Sequence, residues 1–298
     1  MTEIRDRLLL LRSLEEFRGL DDEGLLLLVE NAKERSYRAG ELITRVDDVP
    51  SVFHVIIDGR VAIKRPKLPD AIIKERRGFG LLTVMAEERN QDAVAEVDTR
   101  VLEIPVKGYR SALEENFSLL RNALRLLGAL LSRMRHRLPA DPKRPPKLEL
   151  GEYYDRPRTL VEQLIELRKG PFVHMNIDAL VELARRMVEV RVPAGHVFWR
   201  AGDPCTYALH VEYGRIHCTI PTGESVDIAS DFTLGVMDLW SGQPRSYDAE
   251  SQTDIIAYRI EYEDFLVIAE MHISVALDML RGLARQYLAM DEDDVVLG

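Results

Sequence analysis

Four side chains suited to metal ligation, Cys205, His210, His217 and Cys218, crowd one stretch of this 298-residue chain. A structural zinc site needs thiolates and imidazoles in close pairs at set separations, and these four fit no such pattern. They read instead as strand residues, in a core or on its surface. Gly78-Phe79-Gly80 brings two glycines together as a dinucleotide loop does, but no third follows in phase and no long strand-helix-strand unit opens there. A turn of a β structure is the expectation. No Gly-x-Ser-x-Gly elbow, His-Glu-x-x-His helix or Walker loop occurs, and no carboxylate pair stands in an apolar setting. The side-chain chemistry points away from catalysis.

What the chain does show is a repeat. Ala39-Gly40, Arg45, Asp48, Gly59-Arg60 and Gly80 recur 155 residues later as Ala194-Gly195, Arg200, Asp203, Gly214-Arg215 and Gly235. After one extra residue, Arg89 and Asp98 recur as Arg245 and Asp254. The register extends backwards through Phe17 with Phe172, Leu25 with Leu180 and Leu28 with Leu183. A register held over so many positions means two copies of one domain.

Each copy is expected to open with a helix. Leu20, Leu25, Leu28 and Val29 keep helical spacing behind Asp21-Asp22-Glu23, and Asn176 or Asp178 is placed to cap the helix of Leu180, Leu183 and Met187. From Tyr37 to Lys64 and from Val192 to Ile220 the period changes to short β-branched and aromatic runs between Gly and Asp turns. Val55-Ile56-Ile57, Asp58-Gly59 and Val61-Ala62-Ile63 suggest a hairpin, matched by Leu209–Val211, Tyr213-Gly214 and Ile216. A further strand covers Ala93–Ile104 or Ile255–Ile260, and one long helix follows, Val106 to about Arg137 and Tyr262 to about Ala289. The fold class is α+β: two tandem β jelly rolls (double-stranded β-helices), each flanked by helices. Four prolines between Pro139 and Pro146 set the expected boundaries at 1–138, a linker over 139–158, and 159–298, with a short helix from Leu160 to Leu167.

Composition fits an ordinary soluble protein, with 46% hydrophobic and 30% charged residues and no apolar run long enough to span a bilayer. The N-terminus lacks the pattern of a signal peptide, and two cysteines form no framework, so a cytoplasmic location is expected. Residues 1–138 carry 24 Lys/Arg against 23 Asp/Glu, and residues 139–298 carry 16 against 27, so the net charge of −10 resides in the second half. An acidic surface repels phosphates, and nucleic acid is not an expected partner. Asp291-Glu292-Asp293-Asp294 reads as a solvated tail.

Ala39-Gly40-Glu41-Leu42-Ile43, Asp47-Asp48 and Phe53–Val61 resemble the cyclic nucleotide-binding domain found in the catabolite activator protein and in kinase regulatory subunits. Ala194–Phe198, Ala201–Pro204 and Val211–Ile216 resemble it again. The resemblance covers about 120 residues of each copy and implies a phosphate-binding cassette: a Gly-Glu pair opening a one-turn helix, then an Arg, small residues and a Thr. In that family the Glu accepts from the ribose hydroxyl and the Arg neutralises the cyclic phosphate. By this resemblance the ligand-facing positions are Gly80, Leu81, Leu82, Arg89 and Asn90 in copy one, and Gly235, Val236, Met237, Arg245 and Ser246 in copy two. The Gly and Arg are present twice, and the Glu is absent twice. Leu81 and Val236 cannot accept a hydrogen bond, which removes a partner worth roughly 1.5 to 3 kcal/mol. Asp92 and Asp248 follow where the family prefers Thr, to repel a phosphate or pair with the Arg itself. Gln243-Pro244-Arg245-Ser246 makes copy two the nearer to the family pattern.

Along 119–137, Leu120, Ala123, Leu124, Leu127, Leu130, Leu131 and Met134 form an apolar stripe beside Arg121, Arg125, Arg133, Arg135 and Arg137, with Lys143, Arg144 and Lys147 beyond. It suits packing on its own roll, a homodimer seam or, less well, a membrane or nucleic-acid surface. The reading that results is a non-enzymatic signalling or scaffold protein acting through a protein partner in trans. The alternative is a genuine sensor of cAMP, cGMP or a cyclic dinucleotide. A transcription regulator would need a DNA-binding domain, for which the sequence beyond Leu288 leaves no room.

Overall fold

The structure, a computed structural model, describes residues 4–64, 69–89, 91–134, 148–168, 172 and 175–293. Asn90, most of the proline-rich linker, Arg135, Arg137, Lys143, Arg144 and Lys147 lie outside them. Two compact units result: Met1–Leu127 together with Leu277–Gly298, and Gly128–Ala276.

In the first unit, α1 (Ile4–Arg12) and α2 (Asp22–Asn31) precede the strands. The Asp21 side chain accepts from the Gly24 N–H, which stops α2 from fraying. Strands β1 (Lys33–Tyr37), β2 (Leu42–Thr44), β3 (Val52–Asp58), β4 (Arg60–Ile63), β5 (Ala71–Lys74) and β6 (Gly78–Phe79) lead to the one-turn helix α3 (Leu81–Ala86). Then come β7 (Ala93–Ala95), β8 (Thr99–Pro105), α4 (Val106–Glu115) and α5 (Phe117–Met134). Two antiparallel sheets, ordered β1-β8-β3-β6 and β2-β7-β4-β5, enclose Tyr37, Ile56, Val61, Phe79, Ala93, Ala95 and Val101. Strand β3 is buried on both faces, which is why its apolar run is nearly continuous: His54 stacks on Phe79 at 4.6 Å on one side, and Phe53 packs against Phe17 and Tyr109 on the other.

The second unit repeats the plan. Helices α6 (Leu160–Leu167) and α7 (Ile177–Arg186) come first, α6 starting at a Thr159–Glu162 capping box and α7 capped by Asn176. Strands β9 (Val188–Val192), β10 (Val197–Trp199), β11 (Tyr207–Tyr213), β12 (Ile216–Thr219), β13 (Ser225–Ile228) and β14 (Phe232–Leu234) lead to α8 (Val236–Ser241). β15 (Asp248–Ser251), β16 (Ile255–Glu261), α9 (Tyr262–Met271) and α10 (Ile273–Asp293) complete the order. The sheets run β9-β16-β11-β14 and β10-β15-β12-β13. The expected tandem jelly rolls are therefore present.

Several local expectations need correction. The segments around Gly59 and Gly214 are not hairpins. β3 pairs with β6 and β8 whereas β4 pairs with β5 and β7, so the chain crosses from one sheet to the other at Gly59. Gly59 (φ 100°) and Gly214 (φ 101°) make this corner in the left-handed region, where a Cβ on Gly59 would collide with Thr99. The true hairpins are β4–β5 and β12–β13. The strand expected over Ala93–Ile104 is two strands, β7 and β8, whereas that expected over Ile255–Ile260 is the single strand β16, and the long terminal helix of each copy is two helices, broken at Asn116 and at His272. The Asn116 carboxamide accepts from the Leu119 N–H and so starts α5 afresh.

The stripe on α5 packs mostly inside the chain. Among the described side chains of the stripe, Leu119, Leu120, Leu124, Leu127 and Leu131 are buried within the single chain, whereas Leu130 is exposed. The unit boundary also differs from 1–138 and 159–298. Repetition follows sequence ancestry, but compactness follows packing, and Arg281 and Arg285 of α10 engage Glu87, the Ala86 carbonyl and Glu88 at the end of α3.

Candidate functional site

Both cassettes are built alike at their entrance. Gly80 (φ 82°) and Gly235 (φ 81°) are the N-caps of α3 and α8, and in copy one the Thr83 hydroxyl donates to the Gly80 carbonyl at 2.7 Å. Leu81, Leu82, Val236 and Met237 are half-buried, so no carboxylate follows either N-cap glycine.

Beyond the glycines the two diverge. In copy one Arg89 is exposed, and its Nη1 donates to the Asp47 carbonyl at 2.7 Å. In copy two Arg245 is only 2% exposed and lies against Gly235, where any Cβ would collide with Nη1. Its Nη2 donates to the Tyr207 carbonyl at 2.6 Å. Its main chain is pinned to the turn after β10, donating to Asp203 O and accepting from Gly202 N–H, each at 2.8 Å. The Arg245 guanidinium carbon sits 3.9 Å from the Trp199 ring centre and 4.8 Å from that of Tyr207. Ring faces attract a cation by about 0.5 to 2 kcal/mol each. Tyr207 carries a second cation, Arg259, at 4.0 Å.

Of the two roles open to Asp92 and Asp248, pairing with Arg89 and Arg245 is not the one their hydrogen bonds show. Asp248 accepts from the Ala201 N–H at 2.7 Å and from Arg200 Nη1 at 3.2 Å, and Asp92 accepts from the Val46 N–H at 2.6 Å. Both carboxylates face the loop after β2 or β10, because the strand that follows the Arg turns its next side chain that way. The carboxylate that orders copy two is Asp238, which receives the Ser246 N–H and hydroxyl at 3.0 Å. The Tyr247 hydroxyl oxygen accepts from the Gly235 N–H at 3.0 Å. Because Asp238 is buried with both donors, Asp238→Ala should cost about 2 to 3 kcal/mol, read as a lower urea midpoint. Asp248→Ala, at a half-exposed site, should cost less than about 1 kcal/mol. Equal midpoints would remove Asp238 as the anchor.

Trp199, Tyr207, Asp238 and Tyr247 were not legible as site residues. The signal lay in the repeat itself: Thr44, Val52 and Gln91 stand where copy two has Trp199, Tyr207 and Tyr247. Trp199 is 4% exposed, and returning such an indole to water would cost about 4 to 6 kcal/mol at about 25 cal/mol per Å².

The histidines and cysteines considered for metal lie apart in role. His210 packs its ring on Phe172 at 5.5 Å with Nδ1 against the Thr233 hydroxyl, and His217 meets Asp227 at 2.7 Å. Cys218 is in the core, and burial raises the Cys205 thiol to about 11. Among the described residues no group of three or more His, Cys, Asp or Glu could hold a metal ion. No described helix is long and apolar enough to cross a membrane.

The sequence profile described as cyclic nucleotide-binding domain matches residues 34–116 and again residues 189–272. A cyclic nucleotide-gated potassium channel of Mesorhizobium japonicum is 27% identical over 124 residues, 37% of this chain and 34% of the channel. An uncharacterised NTE family protein of Mycobacterium tuberculosis is 30% identical over 121 residues, 40% of this chain and 21% of that protein. The chain thus spans about a third or less of the curated relatives it matches. The regulatory domain of Toxoplasma gondii PKA, crystallised with cAMP, is 13% identical with a TM-score of 0.36, covering 95% of this chain and 97% of that one. Domains of this kind are regulatory rather than catalytic and take cAMP-like or cGMP-like ligands. Two matches, each centred on a jelly roll with its own cassette, place the chain in the cyclic nucleotide-binding domain family.

Proposed function

We propose that this chain is a non-enzymatic regulatory protein whose two cassettes are degenerate and which acts through a protein partner in trans. The observation that carries the reading is the residue after each N-cap glycine. Leu81 and Val236 begin α3 and α8 where a ribose-reading carboxylate would be needed, and neither Asp238 nor Asp248 substitutes, since both are engaged elsewhere. A cassette that keeps its backbone turn but has lost that acceptor supports the roll without selecting a nucleotide. Its regulatory output then has to be read by another protein.

A thermal-shift series with cAMP, cGMP and cyclic dinucleotides tests this. A ligand at about 100 times its Kd adds about 2.7 kcal/mol and would raise Tm visibly. The expected result is no shift with any of them. One observation favours the sensor alternative: Arg89 is exposed beside its cassette. A shift lost in Arg89→Ala but kept in Arg245→Ala would establish that reading in place of the first.

A further inference from the structure

We infer that Trp199 closes the second cassette: with Tyr207 it covers the Arg245 guanidinium against which the phosphate of a cyclic nucleotide would have to lie, so copy two excludes that ligand class. The inference rests on the family reading of Arg89 and Arg245 as the anion-facing residues. Trp199 belongs to β10, whose partner β15 begins three residues beyond Arg245, and the pairing of Trp199 with Ala249 brings the indole over the cassette. Its ring also packs on Tyr207 at 5.6 Å and on Tyr247 at 5.8 Å, so the three aromatic side chains fill the interior of the roll beside Gly235. Copy one has none of this filling: Thr44 replaces Trp199, and its hydroxyl donates to the Gln91 carbonyl at 2.6 Å.

The unmet hydrogen bonds agree. Arg245 Nε and Nη1 and Trp199 Nε1 are buried without a hydrogen-bond partner among the described residues. Arg245 is held by ring faces and one carbonyl instead of by a carboxylate. Its charge would therefore be available to an anion once the indole is gone. Trp199 thus bars an anion from the second cassette, and Arg245 serves in the native chain as a packing element.

Equilibrium dialysis of the full chain against cAMP, cGMP and inorganic phosphate tests this, with wild type, R89M, R245M, W199T and W199T/R245M. W199T, which gives copy two the residue found at Thr44, is expected to tighten the binding of at least one probe by about tenfold or more. The double variant should lose that gain. W199T with a native circular dichroism spectrum and no gain overturns the inference and leaves the degenerate-cassette reading in place. Wild-type binding abolished by R89M but kept in R245M does the reverse. Where W199T does not fold, the wild type supplies the second measurement, because the chain has only two tryptophans. A probe that changes tryptophan emission in wild type but not in R245M shows an open second cassette and overturns the proposal.

Discussion

Gly214→Ala is expected to destabilise the second unit by about 2 to 5 kcal/mol, because two separate penalties fall on one added methyl group. Gly214 is at φ 101°, which an L side chain reaches only with strain of about 1 to 2 kcal/mol. A Cβ there would also collide with the Asp254 carbonyl oxygen and the side chains of Ile255 and Thr253. Overpacking of that kind costs about 1 to 3 kcal/mol more, and the Asp254 oxygen is backbone that cannot rotate away. The corner cannot relax by opening, since β11 on one side and β12 on the other are tied to different sheets. Gly195→Ala is the control: it has φ 82° but nothing within 4 Å of a Cβ, so only the strain applies. Denaturant midpoints decide the matter, and equal losses in the two variants would refute the collision argument.

Acidification is the second large effect. Burial lowers His54 to about 4 from its ordinary 6.5, against a partly offsetting pull from Glu103, and burial alone lowers His210 to about 4. The Glu212 carboxylate lies 3.9 Å from His210 Nε2, too far for a hydrogen bond, so it does not rescue the charged ring. Both imidazoles are neutral in the folded chain, whereas the unfolded chain takes up their protons as pH falls through 6.5. Their stability term is therefore intact above about pH 6.5, declines between 6.5 and about 4, and flattens below. The loss is about 1.4 kcal/mol per pH unit for each histidine, or about 4 kcal/mol for the pair near pH 5. Urea midpoints measured across that window should fall, and His210→Gln should reduce the slope by one proton. An unchanged slope in that variant would exclude His210 from the transition.

The architecture was legible because turns at positive φ admit few residue types. Gly59 and Gly214, and Gly80 and Gly235, mark the same corners in both copies and hold the register through divergence elsewhere. The same glycines do not say what lies on either side of a corner. A hairpin and a sheet-to-sheet crossing both place Asp58-Gly59 or Tyr213-Gly214 between apolar runs, and only the long-range partners of β3 and β4 separate them. The break in each terminal helix was marked by Asn116 in copy one, a residue that caps well, but the apolar periodicity around it ran on without interruption. At the site, the glycine and arginine positions were visible and the surroundings of Arg245 were not. Trp199 and Arg245 are distant in sequence and meet through the β10–β15 pairing, so no local pattern joins them. The partners of Asp92 and Asp248 are hidden for a related reason: proximity in sequence to an arginine does not fix which way a strand residue points.

The first unit draws its chain from two stretches, Met1–Leu127 and Leu277–Gly298, and this bears on how the protein is made. A ribosome delivers the first stretch long before the second, so α3 emerges without Arg281 and Arg285 and stays without them until about 150 residues beyond Leu127 have been made. Contacts closing over so large a separation raise contact order and slow the final step. The first unit therefore completes after the second, although its strands are translated first. The nascent protein passes through a stage in which the second unit has its full complement of chain while the first still awaits its closing helix.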